Sequence, residues 1–374
     1  MYKHWKAAAA AAVLLMNLSG CTMFAHTYSS ESDFKGSQKM EVDDTTEVVK
    51  SYSSLRWRIY HMINTHEESA KLLISGYSGD VAADIAAICG SVSTDSAYGA
   101  YAVEYASYDL TQIVSYYEAT IQITYKHTVE ELEKVVTVSN NEAFSEAVAQ
   151  GLANGETYMV FKVNNGSGDN DALIERTRQA CRNHPLLISY QPDITGRVYS
   201  GNTSQKIYEL QVDYGDLGSK NAARVQALSI AATNALRSVP AAGPEWMVIN
   251  AARYISEHCA VSEESGSTAY DALVGGSADS EGVASAMKAL CDRLNLECQV
   301  VRGTRGKATH YWNIVTIDGV SYHADVSELL EKGGEATLFL NDEEKSAGCW
   351  WDLSEYPACE GTLSYEEVVS PGAG

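Results

Sequence analysis

The sequence predicts an α+β protein built in two parts, and three observations carry that prediction. Residues 48–215 match themselves at an offset of 89 residues, with strand-like and helix-like runs in the same order in both copies. From about 216 the apolar spacing turns helical. Three strand-like runs then follow, ending near Asp325, with Asp318-Gly319 as the hairpin signal between the last two.

Residues 1–20 read as a processing segment: Lys3 and Lys6 precede the apolar stretch Ala7–Met16, and Leu18-Ser19-Gly20-Cys21 follows. That stretch is too short to span a bilayer. The tetrapeptide resembles the lipobox of bacterial lipoproteins, which implies cleavage before Cys21 and attachment of lipid to it. An ordinary secretory leader, with Cys21 incidental, is the alternative. Residues 21–47, rich in Ser, Thr, Asp and Glu, read as a flexible tether. Because no later segment offers ~18 consecutive apolar residues, the expectation is an extracytoplasmic protein held at the bacterial membrane by its N-terminal lipid alone.

The chain carries 27 basic and 49 acidic side chains, and losing Lys3 and Lys6 with the leader leaves a balance of −24. A field of that sign repels nucleic acid and anionic headgroups, so neither is an expected partner. Of eight cysteines, seven remain after Cys21, an odd number that cannot all pair. Cys349 with Cys359 or Cys298 is a disulfide expectation for an exported chain. Cys291 shares a helical face with Met287, Leu290 and Leu294 and reads as a small core residue. With no CxxC pair, neither a zinc site nor any other cofactor is expected.

In the first part, Gly79-Asp80 corresponds to Gly168-Asp169, Ile85 to Ile174, and the strand Ile121–Tyr125 to Leu210–Tyr214. Ala70–Ile74 and Met159–Val163 open the copies as strands, and Val81–Ile88 and Ala172–Cys181 supply helices. The acidic loop 164–171 lacks the glycine and terminal glutamate of a calcium loop, so Asp169 or Asp171 reads as a helix cap. The second part, 216–374, opens with helices at Ala222–Leu236 and about 245–258. A Ser/Gly loop, a helix from near Ser280, and strands at Cys298–Arg302, Tyr311–Ile317 and Ser321–Asp325 come next.

Chemistry concentrates in Asp279-Ser280-Glu281-Gly282, His310-Tyr311-Trp312-Asn313 and His323-Ala324-Asp325. The region from Tyr270 to Asp325 resembles the transglutaminase-like superfamily, whose fold is of the papain-like cysteine-protease type. Its nucleophile segment, Gly-x-Ala-x-Cys-Glu-Gly-x-Ala, reads here Gly276-Ser277-Ala278-Asp279-Ser280-Glu281-Gly282-Val283-Ala284. The resemblance places Ser280 where the catalytic cysteine belongs, His310 as base and Asp325 as orienter. It implies peptide or amide substrates for the ancestral site.

A thiol at a helix N-terminus is readily held as a thiolate beside an imidazolium, whereas a hydroxyl must lose its proton to neutral imidazole during attack. The sequence therefore reads as a pseudoenzyme that binds a peptide or a cell-wall or surface polymer, with an active serine amidase or peptidase using Ser280-His310-Asp325 as the alternative. Plainer roles stand beside these: Ser280 as a helix cap, His310 as a buried core histidine, Asp325 as a strand-end cap. His310, His323 and Asp325 make a poor metal set, and no metal is expected. Tyr270, Trp312, Trp350 and Trp351 are the aromatic candidates for a ligand groove, although Trp350 and Trp351, after a predicted helix at Asp342–Ser346, read first as a cover for the core and as groove residues where an edge is exposed.

Overall fold

The structure, a computed structural model, describes residues 46–237 and 243–370; the expected leader, Cys21 and nearly all of the expected tether lie outside them. The first segments are β1 (Thr46–Val49), α1 (Tyr52–Thr65), β2 (Ser69–Ser75), α2 (Val81–Asp95), α3 (Ala97–Ala102), β3 (Val103–Ile113) and β4 (Tyr116–Tyr125). They form a four-stranded sheet of order β1-β2-β4-β3. After the short α4 (Val129–Leu132) come β5 (Val136–Val138), α5 (Asn141–Ala153), β6 (Tyr158–Val163), α6 (Asn170–Asn183), β7 (Asp193–Ser200) and β8 (Lys206–Asp213). These make a second sheet of order β5-β6-β8-β7.

Strand order and connection order are the same in both sheets, and an 89-residue shift lays every element of the first set except α3 on one of the second to within two residues. Each set starts one strand and one helix earlier than the sequence pattern indicates. Those short first strands carry too few apolar positions to be read alone, and they form by pairing onto β2 and β6. Asp80 and Asp169, at equivalent places, cap α2 and α6 by accepting the N–H of Ala83 and of Ala172 at 3.0 Å each. An N-cap carboxylate of this kind contributes about 1 kcal/mol.

The rest comprises α7 (Asn221–Leu236), α8 (Pro244–His258), β9 (Ala260–Gly266), α9 (Ala269–Leu273), β10 (Ser277–Ala278), α10 (Ser280–Leu294), β11 (Glu297–Arg305), β12 (Ala308–Ile317), β13 (Val320–Ala324), α11 (Val326–Lys332), β14 (Leu338–Leu340), α12 (Asp342–Ser346), β15 (Cys349–Trp350) and α13 (Tyr365–Val369). A five-stranded antiparallel sheet, β14-β13-β12-β11-β15, packs one face against α10. The other face holds a smaller cluster of Val301, Trp312, Ile314, Cys349, Trp351 and Cys359. The architecture is α+β throughout, and among the described residues no helix is long and apolar enough to cross a membrane.

Two expectations change. The Ser/Gly loop after α8 contains β9, because Ala260 and Gly266 find parallel partners in Ser277 and Ala278, a pairing that local composition does not announce. The seven described cysteines are free thiols. Cys349 and Cys359 pack as small apolar residues around Trp312, while Cys298 lies in the core on the α10 side with Cys291.

Candidate active site

The segment around Ser280 is shaped by its neighbours. Asp279, not Ser280, is the helix cap: its carboxylate accepts the Gly282 N–H at 2.9 Å and the Ser267 hydroxyl. Ser280 is thereby the first residue of α10, half-buried, at the positive end of the helix. Gly282 lets the helix approach β10 closely, since a Cβ there would stand 2.7 Å from that of Ala278. Burial of Val283, Ala286, Met287, Leu290 and Cys291 then fixes the helix against the sheet, and Asn295 ends it in the left-handed conformation.

The β12–β13 hairpin turns at Asp318-Gly319, whose φ values of 50° and 80° are those a two-residue turn requires. Its register pairs Asn313 with Ala324, so His310 and Asp325 come to one end of the sheet. His310 Nε2 lies 2.7 Å from Asp325 Oδ2, with His310 3% exposed and Asp325 fully buried. Opposite His310 on β11 is Gly303, where a Cβ would collide with the Trp312 ring at 2.4 Å.

Asp325 divides its two oxygens. Oδ1 accepts the Ser327 hydroxyl and the Glu328 N–H, each at 2.9 Å, and so caps α11. Oδ2 takes both His310 and Lys345 Nζ, the latter at 2.5 Å. Burial alone would push this carboxyl up, but the hydrogen bond from His310 and the charge of Lys345 outweigh it and hold it well below the usual range. Capping and orienting roles therefore coexist in one side chain.

Ser280 meets the strand differently from a poised nucleophile. Its Oγ accepts the backbone N–H of Tyr311 at 3.3 Å, and among the described residues no hydrogen bond joins it to His310. Asn313, on the same strand, reaches α10 by donating to Ala284 O at 2.9 Å, and the His310 and Trp312 rings stack 5.9 Å apart.

His323 is a second histidine backed by a carboxylate. Trp312 Nε1–H donates to its Nδ1 at 2.8 Å, and Nε2 lies 2.9 Å from Asp342 Oδ1. An indole nitrogen only donates, so Nδ1 accepts and Nε2 holds the proton that bonds Asp342. The Nε2, Asp342 and Cys359 ligand atoms lie within 4.8 Å of one another, but a metal on Nε2 would force a proton onto Nδ1 against the Trp312 N–H. Burial raises the Cys359 thiol to about 12, which further opposes thiolate ligation. The triplet reads as packing.

The second sheet contributes to the site through α6. Arg182, 4% exposed, pairs with Glu281 at 3.2 Å and with Glu175, and its guanidinium lies over the Tyr311 ring at 5.3 Å. The residue after Ser280 and the residue after His310 are thus held by one cation from 99 residues upstream of Glu281. Sequence reasoning missed Arg182 and Lys345 alike, since each sits in a charged helical run that reads as a solvated face.

The four aromatic residues expected in a groove separate. Trp312 is fully buried and belongs to the core, which corrects that expectation, while Trp351, 5% exposed, takes its other expected place as part of the core. Tyr270 is half-buried beneath the Arg224 guanidinium at 3.9 Å, and Trp350 is the one that stands exposed, at 68%.

No family model matches the chain, and no curated protein matches it by sequence. Among solved structures, a TGase is 15% identical with a TM-score of 0.28, covering 57% of this chain and 62% of that one. A candidate cysteine protease from Cytophaga hutchinsonii is 12% identical with a TM-score of 0.26, covering 45% of this chain and 70% of that one. This chain therefore spans about three fifths of the TGase chain. Superpositions this loose carry no argument about chemistry, and the site stands on its own geometry.

Proposed function

We propose that residues 216–374 form a transglutaminase-like module of the papain-like type whose nucleophile is now Ser280, and that it serves as a pseudoenzyme, binding a peptide or cell-wall polymer without turning it over. The reading includes a lipid anchor at Cys21 outside the membrane, and an ancestral duplication behind the two matching sheets of residues 48–215. The observation that carries it is the hydroxyl of Ser280 accepting the Tyr311 N–H while the adjacent His310–Asp325 pair is intact. A working serine nucleophile donates its proton to the imidazole, and here that bond is not made.

Purified protein mixed with soluble peptidoglycan fragments or short glutamine-containing peptides should bind saturably in calorimetry and release no product by mass spectrometry. Turnover that Ser280→Ala abolishes would overturn the reading in favour of a serine amidase. Absence of saturable binding to both probes would remove the ligand half of it.

A further inference from the structure

The two matching sheets of residues 48–215 differ in the chemistry of one face. On β8 the side chains of Tyr208, Leu210 and Val212 join the core with α5 and α6, so strand alternation turns Glu209, Gln211 and Asp213 to the other side. There α3 packs on part of the sheet, with Tyr101, Val160 and Ile207 in one apolar cluster. Beside it opens a cleft of about 730 Å³, lined by Tyr158, Asp193, Glu209 and Asp213 of the sheet and by His127 and Glu131 around α4. Small-molecule sites span about 300–1,000 Å³.

Glu209 is the residue that asks for a ligand. It is 7% exposed, and its carboxylate accepts the Tyr158 hydroxyl at 3.1 Å and the Tyr199 hydroxyl at 2.8 Å. Burial, with the Tyr101 hydroxyl 3.0 Å behind it, pushes the Tyr158 phenol up, so it stays a donor. Both donors are neutral, and among the described residues no Lys or Arg pairs with Glu209. Arg197, opposite it on β7, is exposed and donates instead to the Tyr199 hydroxyl at 3.4 Å. A carboxylate removed from water is ordinarily paired with a cation. His127 brings a second unsatisfied group to the lining: its ring stacks on Tyr101 at 4.3 Å, and its Nε2 is buried without a hydrogen-bond partner.

The shared fold does not require these acids. The 89-residue shift puts Thr120 and Thr124 where Glu209 and Asp213 stand, and Ser69 where Tyr158 stands, although the strands pair alike. A metal ion does not fit either, since among the described residues no three ligand atoms of the cleft's histidine and carboxylates lie within 4.8 Å of one another. The charges are spread instead: Glu209 and Asp213 stand four residues apart on one strand face, about 14 Å, and Asp193 pairs across from Asp213.

We propose that this cleft binds a linear organic cation with spaced alkylammonium groups, one seated on Glu209 and another between Asp193 and Asp213. A free polyamine and neighbouring lysine side chains of a peptide share that chemistry. The site stands apart from Ser280 and does not depend on the reading of its nucleophile.

Calorimetry on the full chain in about 0.15 M salt, which screens the field of the net charge beyond about 8 Å, tests this with spermidine and with a trilysine peptide blocked at both ends. At least one should bind saturably at one site. Glu209→Gln should weaken that binding about tenfold or more, and the exposed Asp193→Asn several-fold. Glu118→Gln, an exposed change on β4 that removes the same charge, should leave it unaltered. Binding of spermidine alone identifies a free amine as the ligand; binding of the peptide, alone or as well, identifies a lysine-bearing chain. Failure of both probes to saturate overturns the proposal. So do equal affinities in the unaltered chain, Asp193→Asn and Glu118→Gln, a comparison that needs no folding of the Glu209 variant.

Discussion

Two histidine–aspartate pairs lie on adjacent strands with Trp312 between them, and they differ in what is left over. His323 has both nitrogens engaged, by Trp312 and by Asp342, and its ring is fully buried. His310 has one nitrogen on Asp325, and among the described residues Nδ1 has no hydrogen bond. Engaging both nitrogens builds a core; leaving one free preserves the layout of a proton-transfer site. The aspartates differ in the opposite sense. Asp325 is fully buried and serves His310, Lys345 and the α11 cap, whereas the Asp342 side chain is 29% exposed.

That contrast predicts unequal costs. Asp325→Ala strands a buried ammonium and removes a helix cap, and should destabilise the protein by about 3–5 kcal/mol in urea unfolding at neutral pH. Asp342→Ala leaves the His323 N–H and the Cys359 N–H, which its Oδ2 accepts at 3.0 Å, wanting partners but strands no charge, and should cost about 1–3 kcal/mol. Equal losses would mean that the Asp325 network is no tighter than its neighbour.

A smaller effect separates the histidines by pH. Burial, opposed by the Asp342 hydrogen bond, lowers the proton affinity of His323 in the fold below that of unfolded imidazole near ~6.5. As pH falls, the unfolded chain binds this proton first, so the stability contributed is complete above about pH 6.5 and is lost on acidification. His323→Gln, which keeps an acceptor and a donor but cannot titrate, should flatten the fall in unfolding midpoint between pH 7 and 5. An unchanged slope would place the acid sensitivity elsewhere.

The parts of this site that were legible in sequence are those encoded locally. Ser280, His310 and Asp325 stand in short motifs, and the Asp318-Gly319 turn sets the register that brings the last two together. The helix at 342–346 was legible too, but its inward lysine was not, because polar composition predicts a wet face and only the carboxylate 20 residues away explains the burial. Arg182 escaped for the same reason on a longer span, and β9 because its partner strand is two residues long. Trp312, read as a groove residue, has its indole N–H satisfied by His323 inside the core, a pairing that sequence alone does not show.

The central claim is that Ser280 is not a nucleophile despite the intact pair beside it. Incubating the purified chain with a fluorophosphonate probe and reading its intact mass tests this directly. An unchanged mass is the predicted result; a single adduct mapped to Ser280, and lost in His310→Ala, would contradict the account.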